Sequence, residues 1–542
     1  MFINFRDIPG HQKLFLDYLY EFENVKEFYE NDFRDKDEYS NKFKKISGSE
    51  RSFRNEVPNI ILKQYKNLEP SQKTKDNIAS LKEKNTLAVV TGQQLGILGG
   101  PLYTFYKIIT AIKLASSLSK RYDEYNFIPV FWLEGDDHDF EEVSHINLVN
   151  DSNELLKLNY GEVNPDDEIK VSVGNIKFDN SINPFFHELS KNLRDTEFKE
   201  PLLAKLKSIY KDGKTYRESF SELIFWLFDE YGLVLFNPQD IEIKSLLKPV
   251  FKKEINEFRL HTEKLVNVSA KLEEIYHAQV KVKPINLFYG NAEGRFSIEP
   301  MDEGGYRLKR KKKKFTDEEI ISEIDSNPQN FSPNVLLRPI CQDYILPTAF
   351  YIGGPSEISY FAQVMKLYNI FNIESPYIYP RSSATIVERN INSILEKYNL
   401  NVEDVFTDID KLKSEVVESI SATTMDDVFG KTQHDIDLAL DNLKEKLFVI
   451  DKTIADATSK YREKFFHYLD ELKDKAKDSQ AKKHEITLRQ IDKASKALYP
   501  NSNLQEREIN FIYFANKYGM DFLNKIFEEL EINKFEHQTL KL

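Results

Sequence analysis

Residues 86–133 leave this chain few folds to choose from. Thr86–Leu87–Ala88–Val89–Val90 is a short apolar run, followed by the stretch TGQQLGILGGPLYTFYK at 91–107. Phe105, Ile108, Ile109, Ile112, Ala115 and Leu118 then recur at helical spacing, and a second apolar run, Phe127–Leu133, ends in acidic residues. Strand, glycine-rich connection, helix and strand make a βαβ unit, whose strands are parallel and whose crossover is right-handed. Leu233–Phe236 and Ile345–Ile352 repeat the apolar pattern, and Tyr377–Tyr379 reads as a final strand before Pro380. Buried parallel strands have this texture, so the spacing predicts an α/β parallel-sheet core.

Around that core the chain changes character. Residues 1–85 read as entry helices, with helical periodicity at Leu14–Phe28 and Ile60–Leu68. Residues of about 150–330 read as insertions, carrying a basic run at Lys309–Lys314. Later, Ile436, Leu440, Leu443, Leu447, Ile450, Ile454, Ala457 and Tyr461 follow one another at spacings of 4, 3, 4, 3, 4, 3 and 4, a heptad seam extended by Phe465, Tyr468 and Leu472. A returning helix or a second subunit would cover it. The predicted division is a core at 1–385, a helical coiled-coil domain at 386–503, and a segment at 504–542 that packs back on the core.

Composition excludes several classes. At 542 residues, with 28 Tyr and 39 Phe, the chain has ample material for a packed core. A formal net charge of −13 argues against nucleic acid as partner. The single cysteine, Cys341, rules out an internal disulfide and fits a reducing cytoplasm. The start, MFINFRDIPGHQ, does not read as a signal peptide, and no run of about 18 apolar residues is present, so no membrane span is expected.

Three stretches carry candidate chemistry. In the first, Gly92, Gln93, Gln94, Gly96 and Gly100 fall where a parallel sheet binds ligands, Pro101 suits a first helical turn, and the helix start favours an anion. Tyr103 and Lys107 share a face of that helix. The plain alternative is a structural turn. In the second, PVFWLEGDDHDFEEV at 129–143, Glu134, Asp136, Asp137, His138 and Asp139 cluster at a strand end, suited to acid–base work, to orienting an amine or to a metal; a solvated turn with an Asp cap explains them equally. In the third, LLRPICQDYILPTAFYIGGPSEISYFAQ at 336–363, Gly353 and Gly354 echo the first glycine pair, Glu357 and Tyr360 share a helix face, and Arg338, Gln342 and Asp343 precede the strand. Arg338 and Arg381 are candidate carboxylate or phosphate binders. Cys341 reads as a buried hydrophobe.

Taken together, VVTGQQLGILGGPLYTFYKIITAIKLA, PVFWLEGDDHDFEEVSHI, LRPICQDYILPTAFYIGGPSEISYFAQ and YPRSSATIVE resemble the signatures of the BshC family, the cysteine ligases of bacillithiol biosynthesis. The likeness covers nearly the whole chain. The sequence departs from the family pattern at Asp136, where Glu is usual, and at Phe361, where Trp is usual. The resemblance implies a Rossmann-like core with connective insertions and a coiled coil that supports a homodimer. It implies an enzyme that joins the carboxyl of L-cysteine to the amine of glucosaminyl-malate. Because a free carboxylate does not acylate an amine unaided, ATP is the expected activator, with Mg as its companion ion. Lys107, Asp136, Asp137, His138 and Asp139 are the expected catalytic groups; Gly92, Gln93, Gln94, Gly96, Gly100, Tyr103, Arg338, Gln342, Asp343, Gly353, Gly354, Glu357, Tyr360 and Arg381 are expected to bind substrate or nucleotide. Two other readings stay open: a nucleotidyltransferase on another small substrate, and a ligand-binding coiled-coil scaffold.

Overall fold

A computed structural model describes residues 1–51, 53–161, 171–420 and 425–542, without the side chains of residues 481 and 483. Parts of the predicted insertion (162–170) and of the predicted coiled-coil domain (421–424) lie outside the described residues. The chain divides into two compact units, Met1–Thr385 with Gln505–Leu540, and Ile386–Leu504 with Lys541–Leu542.

The first unit is built on a five-stranded parallel sheet of β1 (Thr86–Gln94), β2 (Asn126–Glu134), β3 (Val234–Phe236), β4 (Thr348–Gly353) and β5 (Tyr377–Pro380). Its spatial order is β5-β4-β1-β2-β3. Chain order therefore reverses between β1 and β4, which makes that junction a topological switch point, the place where open α/β sheets bind ligands. Leu87, Ala88, Val89 and Val90 of β1 are entirely buried, as strands covered on both faces must be. Removing each of the Leu and Val side chains from water contributes about 1.5–3 kcal/mol. Helix α1 (Tyr103–Arg121) follows the first strand as predicted and buries Phe105, Ile108, Ile109, Ile112, Ala115 and Leu118.

Two boundaries differ from the sequence expectation. β1 does not stop at Val90: its pairing with β2 continues through Gly92↔Trp132, Gln93↔Leu133 and Gln94↔Glu134. Gly92 thus belongs to the strand, and a Cβ there would lie 3.0 Å from the Trp132 carbonyl oxygen. The run Ile345–Ile352 is also split. Pro347 separates β4 from a short helix α2 (Arg338–Ile345), so Arg338, Gln342 and Asp343 stand on a helix. Helix α3 (Pro355–Phe371) leaves the end of β4, with Pro355 in its first turn. Within the insertion a five-stranded antiparallel sheet forms, in the order Lys314–Phe315, Tyr306–Leu308, Gly294–Pro300, Leu287–Asn291, Phe331–Pro333. The basic run occupies the exposed turn between the first two of these.

In the second unit the heptad seam is not one continuous helix. It breaks at Asp451 into α4 (Met425–Ile450) and α5 (Lys452–Lys483), which pack against each other. The Asp451 carboxylate accepts the Thr453 N–H at 2.6 Å and starts the second arm. Arg462 pairs with Asp437 at 3.1 Å and also with Asp441, while Lys473 pairs with Asp426, which sets an antiparallel register. Crossing that turn rotates the seam: Leu440 is buried, but Ile450 is 77% and Tyr461 59% exposed. On α5 the inward positions are Ala455 and Thr458, each offset by one from the seam. Among the described residues no helix is long and apolar enough to cross a membrane.

Candidate active site

A cavity of about 480 Å³ opens at the carboxyl ends of β1, β2 and β4, at the switch point. It is within the size range of small-molecule sites. Gly92, Gln93 and Gln94 reach it from β1, Trp132 and Glu134 from β2, and Tyr351 and Gly354 from β4 and the turn after it. Helix α1 supplies Tyr103 and Lys107, α2 supplies Arg338, and α3 supplies Glu357 and Tyr360. Asp137, His138 and Arg381 also line it, so most of the predicted residues converge although they are spread over almost 300 positions of sequence.

Convergence does not make every one of them available to a ligand. Lys107 is buried, and its ammonium donates to the Gly92 carbonyl at 2.9 Å and to Gln93 Oε1 at 2.9 Å, and sits 2.5 Å from Glu357 Oε2. An ammonium has three N–H donors, and all three are used. Glu357 is equally occupied: Tyr351 donates its hydroxyl to Oε1 at 2.6 Å and Gly354 its N–H to Oε2 at 2.8 Å. Burial alone would raise the Glu357 carboxyl, but the Lys107 charge and these hydrogen bonds outweigh it and hold it below its ordinary value. The pair is a strut joining the end of β1 to the start of α3 across the switch point. Lys107 and Glu357 thus spend their charges on each other and on the strand and turn beside them.

The arginines are braced in the same way. Arg338 donates to Gln342 Oε1 at 2.9 Å and to the Tyr360 hydroxyl at 2.9 Å. Gln342 donates in turn to Asp343 at 2.8 Å. Gln342 and Asp343 are buried beneath Arg338 and do not line the cavity; burial pushes the Asp343 carboxyl up to about 6. Arg381 donates to Glu506 at 2.6 Å and to the Ser382 carbonyl at 3.0 Å, and its guanidinium lies over the Tyr103 ring.

The acidic stretch after β2 separates into three roles. Asp136 turns away from the cavity to pair with buried Lys244 at 2.6 Å, and Lys244 also donates to the Phe331 carbonyl, fastening the antiparallel sheet to the end of β2. Asp139 caps the short turn Phe140–Val143 by accepting the Glu142 N–H at 3.4 Å. Asp137 lines the cavity and accepts from Gln94 at 2.5 Å and from the His138 N–H at 2.7 Å. Burial would raise its carboxyl, but those bonds and the Arg295 charge hold it below the ordinary range. His138 Nδ1 lies 3.2 Å from Arg295 Nη1.

Several glycines prove to be architectural. A Cβ on Gly96 would come 2.8 Å from the Gly100 Cα, and Gly100 sits at φ +69°. Neither lines the cavity, and nor does Gly353, whose carbonyl accepts the Arg381 N–H at 2.9 Å. The turn before the helix is held by the C-terminal segment. Pro101 precedes the helix in a bridge to Asn510, and Leu102 donates its N–H to the Ile509 carbonyl at 3.1 Å. Asn510 also donates to the Leu98 and Gly100 carbonyls at 3.0 and 2.7 Å, which pins the turn. Cys341 is fully buried away from the cavity, and burial pushes its thiol far above its ordinary value.

Glu134, first of the acidic cluster, ends β2 inside the cavity; burial pushes its carboxyl up to about 7, against the pull of Arg338 and with the push of Asp136 and Asp137. The structure also adds residues that sequence reasoning did not select. Arg295 and Phe288 come from the antiparallel sheet, Lys281 and Lys283 from the strand-free segment before it, and Arg507 from the returning C-terminal segment. None of these five lies in a motif with glycine or acidic punctuation, so no local signal marked them. The lining carries seven Lys or Arg side chains against four Asp or Glu, a balance that favours anionic ligands.

Residues 1–382 match the family model described as "Bacillithiol biosynthesis BshC, N-terminal Rossmann-like domain", and residues 384–542 match its C-terminal coiled-coil domain. The chain belongs to the BshC family. Three curated BshC relatives, each named "Putative cysteine ligase BshC", align over nearly their full length. One from Salinibacter ruber is 32% identical over 97% of this chain and 96% of its own. Another, from Chloroherpeton thalassium, is 34% identical over 94% and 92%, and one from Chlorobaculum tepidum is 32% identical over 96% and 95%. The BshC assignment makes this chain a member of a ligase family with a Rossmann-like core and a coiled-coil domain.

Proposed function

We propose that this BshC chain is a cytoplasmic cysteine ligase that joins the carboxyl of L-cysteine to the amine of glucosaminyl-malate, forming bacillithiol, with ATP activating the carboxyl. The observation that carries this reading is the switch-point cavity itself: a pre-built hollow with a cationic lining, into which the family's motifs converge. Both ATP and a malate unit are anions. Arg338, Arg381 and Arg295 already hold internal partners, whereas Lys281, Lys283 and Arg507 line the cavity with no hydrogen bond or ion pair among the described residues. Those three are therefore the cations open to phosphate or carboxylate, and they fit ATP. Bound ATP would supply the leaving group that a free carboxylate lacks. Among the described residues no cluster of three or more His, Cys, Asp or Glu is arranged to hold a metal; a magnesium ion arriving with ATP rests mainly on phosphate and water.

What the chain's own residues do is position and exclude. The Lys107–Glu357 strut fixes the distance between the two loops that flank the switch point. Gln93 is held by Lys107 and donates to the Tyr103 hydroxyl at 3.0 Å, so the β1 edge of the site is rigid before any ligand arrives. The outward apolar residues of the helical hairpin, including Ile450, Ile454, Tyr461, Phe465, Tyr468 and Leu472, support a homodimer formed through that hairpin. A scaffold would not need the pre-organised cavity. The test is purified full-length chain with cysteine, glucosaminyl-malate and ATP, followed by mass spectrometry. The condensed thiol should form with AMP and pyrophosphate, dependent on both acceptor and donor. ADP and phosphate would replace the adenylate with an acyl-phosphate, and full-rate amide formation without nucleotide would refute activation.

A further inference from the structure

Amide formation needs a group to take the proton that the amine sheds as it attacks, and the cavity holds four acids and one histidine that face it. His138 is poorly suited. Arg295 has donors and no lone pair, so its 3.2 Å contact requires the Nδ1 lone pair to accept, which leaves the ring proton on Nε2. Protonating Nδ1 would point an N–H at a guanidinium 3.2 Å away, nearer than the Asp137 carboxylate at 3.7 Å. Asp137 has both oxygens occupied, by Gln94 and by the His138 N–H, and is held as a weak base. Glu357 is saturated by Lys107, Tyr351 and the Gly354 N–H. Glu142 is exposed at the rim and tied to Gln94 at 2.8 Å.

Glu134 differs from all of these. Its Oε2 accepts from the Trp132 indole N–H at 3.2 Å and lies 3.9 Å from Arg338 Nε, which orients the carboxylate. Its Oε1 has no hydrogen-bond partner among the described residues, and the side chain opens on the cavity. It ends β2 directly opposite Gln94 of β1, beside the switch point.

We propose that Glu134 is the general base of the ligation step, an assignment that rests on the ligase reading above. The amine nitrogen forms a C–N bond to the activated cysteine carbonyl carbon. The C–O bond to the phosphate leaving group breaks, and its electron pair leaves with that phosphate. The excess N–H proton passes to Glu134 Oε1. The charges that act on the carboxylate are Arg338 from α2, Arg295 from the antiparallel sheet, and Asp136 and Asp137 from the connection after β2; burial and the two aspartates raise it, the two arginines lower it, and the balance leaves it at about 7. A base with that value works efficiently at neutral pH.

Glu134→Gln keeps an oxygen for the Trp132 indole and removes only the basicity. Two reactions of the full-length variant separate the roles. Hydroxylamine, largely unprotonated at neutral pH, traps activated cysteine as a hydroxamate without needing a base, while glucosaminyl-malate needs one. Hydroxamate formation should stay within about threefold of wild type while amide formation falls about 10²- to 10⁴-fold. The wild-type amide rate should rise with pH through about 7, a limb that Glu134→Asp keeps and Glu134→Gln loses. Loss of both reactions together, or a fall in amide formation of less than about tenfold, overturns the assignment. A wild-type chain that yields neither hydroxamate nor amide overturns the ligase reading, and the base with it.

Discussion

Replacing Lys107 with Met leaves the Glu357 carboxylate buried between β4 and α3 with its counter-charge gone. Lys107 is 2% exposed, and the 2.5 Å contact is the only cation that reaches Glu357 among the described ion pairs. Breaking one side of a buried pair costs about 3–5 kcal/mol, because the remaining charge keeps its desolvation penalty. The unit that contains the pair spans about 420 residues. At about 2.1 cal/mol/K per residue its unfolding entropy is near 0.9 kcal/mol/K, so Tm should fall by about 3–6 °C. Adding Glu357→Gln to Lys107→Met should restore most of that loss, since the uncompensated charge is then removed too. The assay is thermal unfolding of the two single variants and the double variant of the full chain, without ligand. A Lys107→Met shift below about 1 °C, or strict additivity in the double variant, refutes the strut.

Other outcomes follow from single contacts. Asp136→Asn should destabilise the chain by a similar few kcal/mol (about 3–5) by stranding Lys244, and denaturant melts would show it. His537 is buried between Ser383 and Thr385, and burial holds its imidazole down at about 4, neutral in the fold. Because the unfolded chain binds that proton at about 6.5, stability should fall as pH drops from there toward 4, by about 2 kcal/mol at pH 5, and the fall should shrink in His537→Gln. Asn510→Ala removes the bonds to the Leu98 and Gly100 carbonyls and should cost about 1–3 kcal/mol while weakening the glycine turn, read as faster amide exchange at residues 96–102. Tyr461→Glu with Phe465→Glu should convert a dimer to a monomer in sedimentation velocity; unchanged mass would remove the hairpin from the interface.

Much of this architecture is legible in the sequence because local pattern and tertiary role coincide. The β1–α1–β2 unit shows itself by buried aliphatic runs around a helical stripe, and the motifs gather because each sits at a strand's carboxyl end. Roles within the motifs were less legible. Sequence cannot count hydrogen bonds, so Lys107 and Glu357 read as free groups when each spends its charge on the other. Asp136 and Glu134 are two residues apart and chemically alike; only Lys244, more than a hundred positions on, separates a fastening from an open carboxylate. Heptad spacing fixes which residues are apolar, but one Asp at 451 decides which arm they face. Arg507 and Lys283 carry no motif, since long-range folding alone brings them to the cavity.

The most direct test of the central claim follows the oxygen of the carboxyl group. Cysteine labelled with heavy oxygen in its carboxylate, incubated with the full chain, glucosaminyl-malate and ATP, should transfer one heavy oxygen to AMP as the condensed thiol appears. Condensed thiol without label in AMP or in phosphate would contradict carboxyl activation at this site.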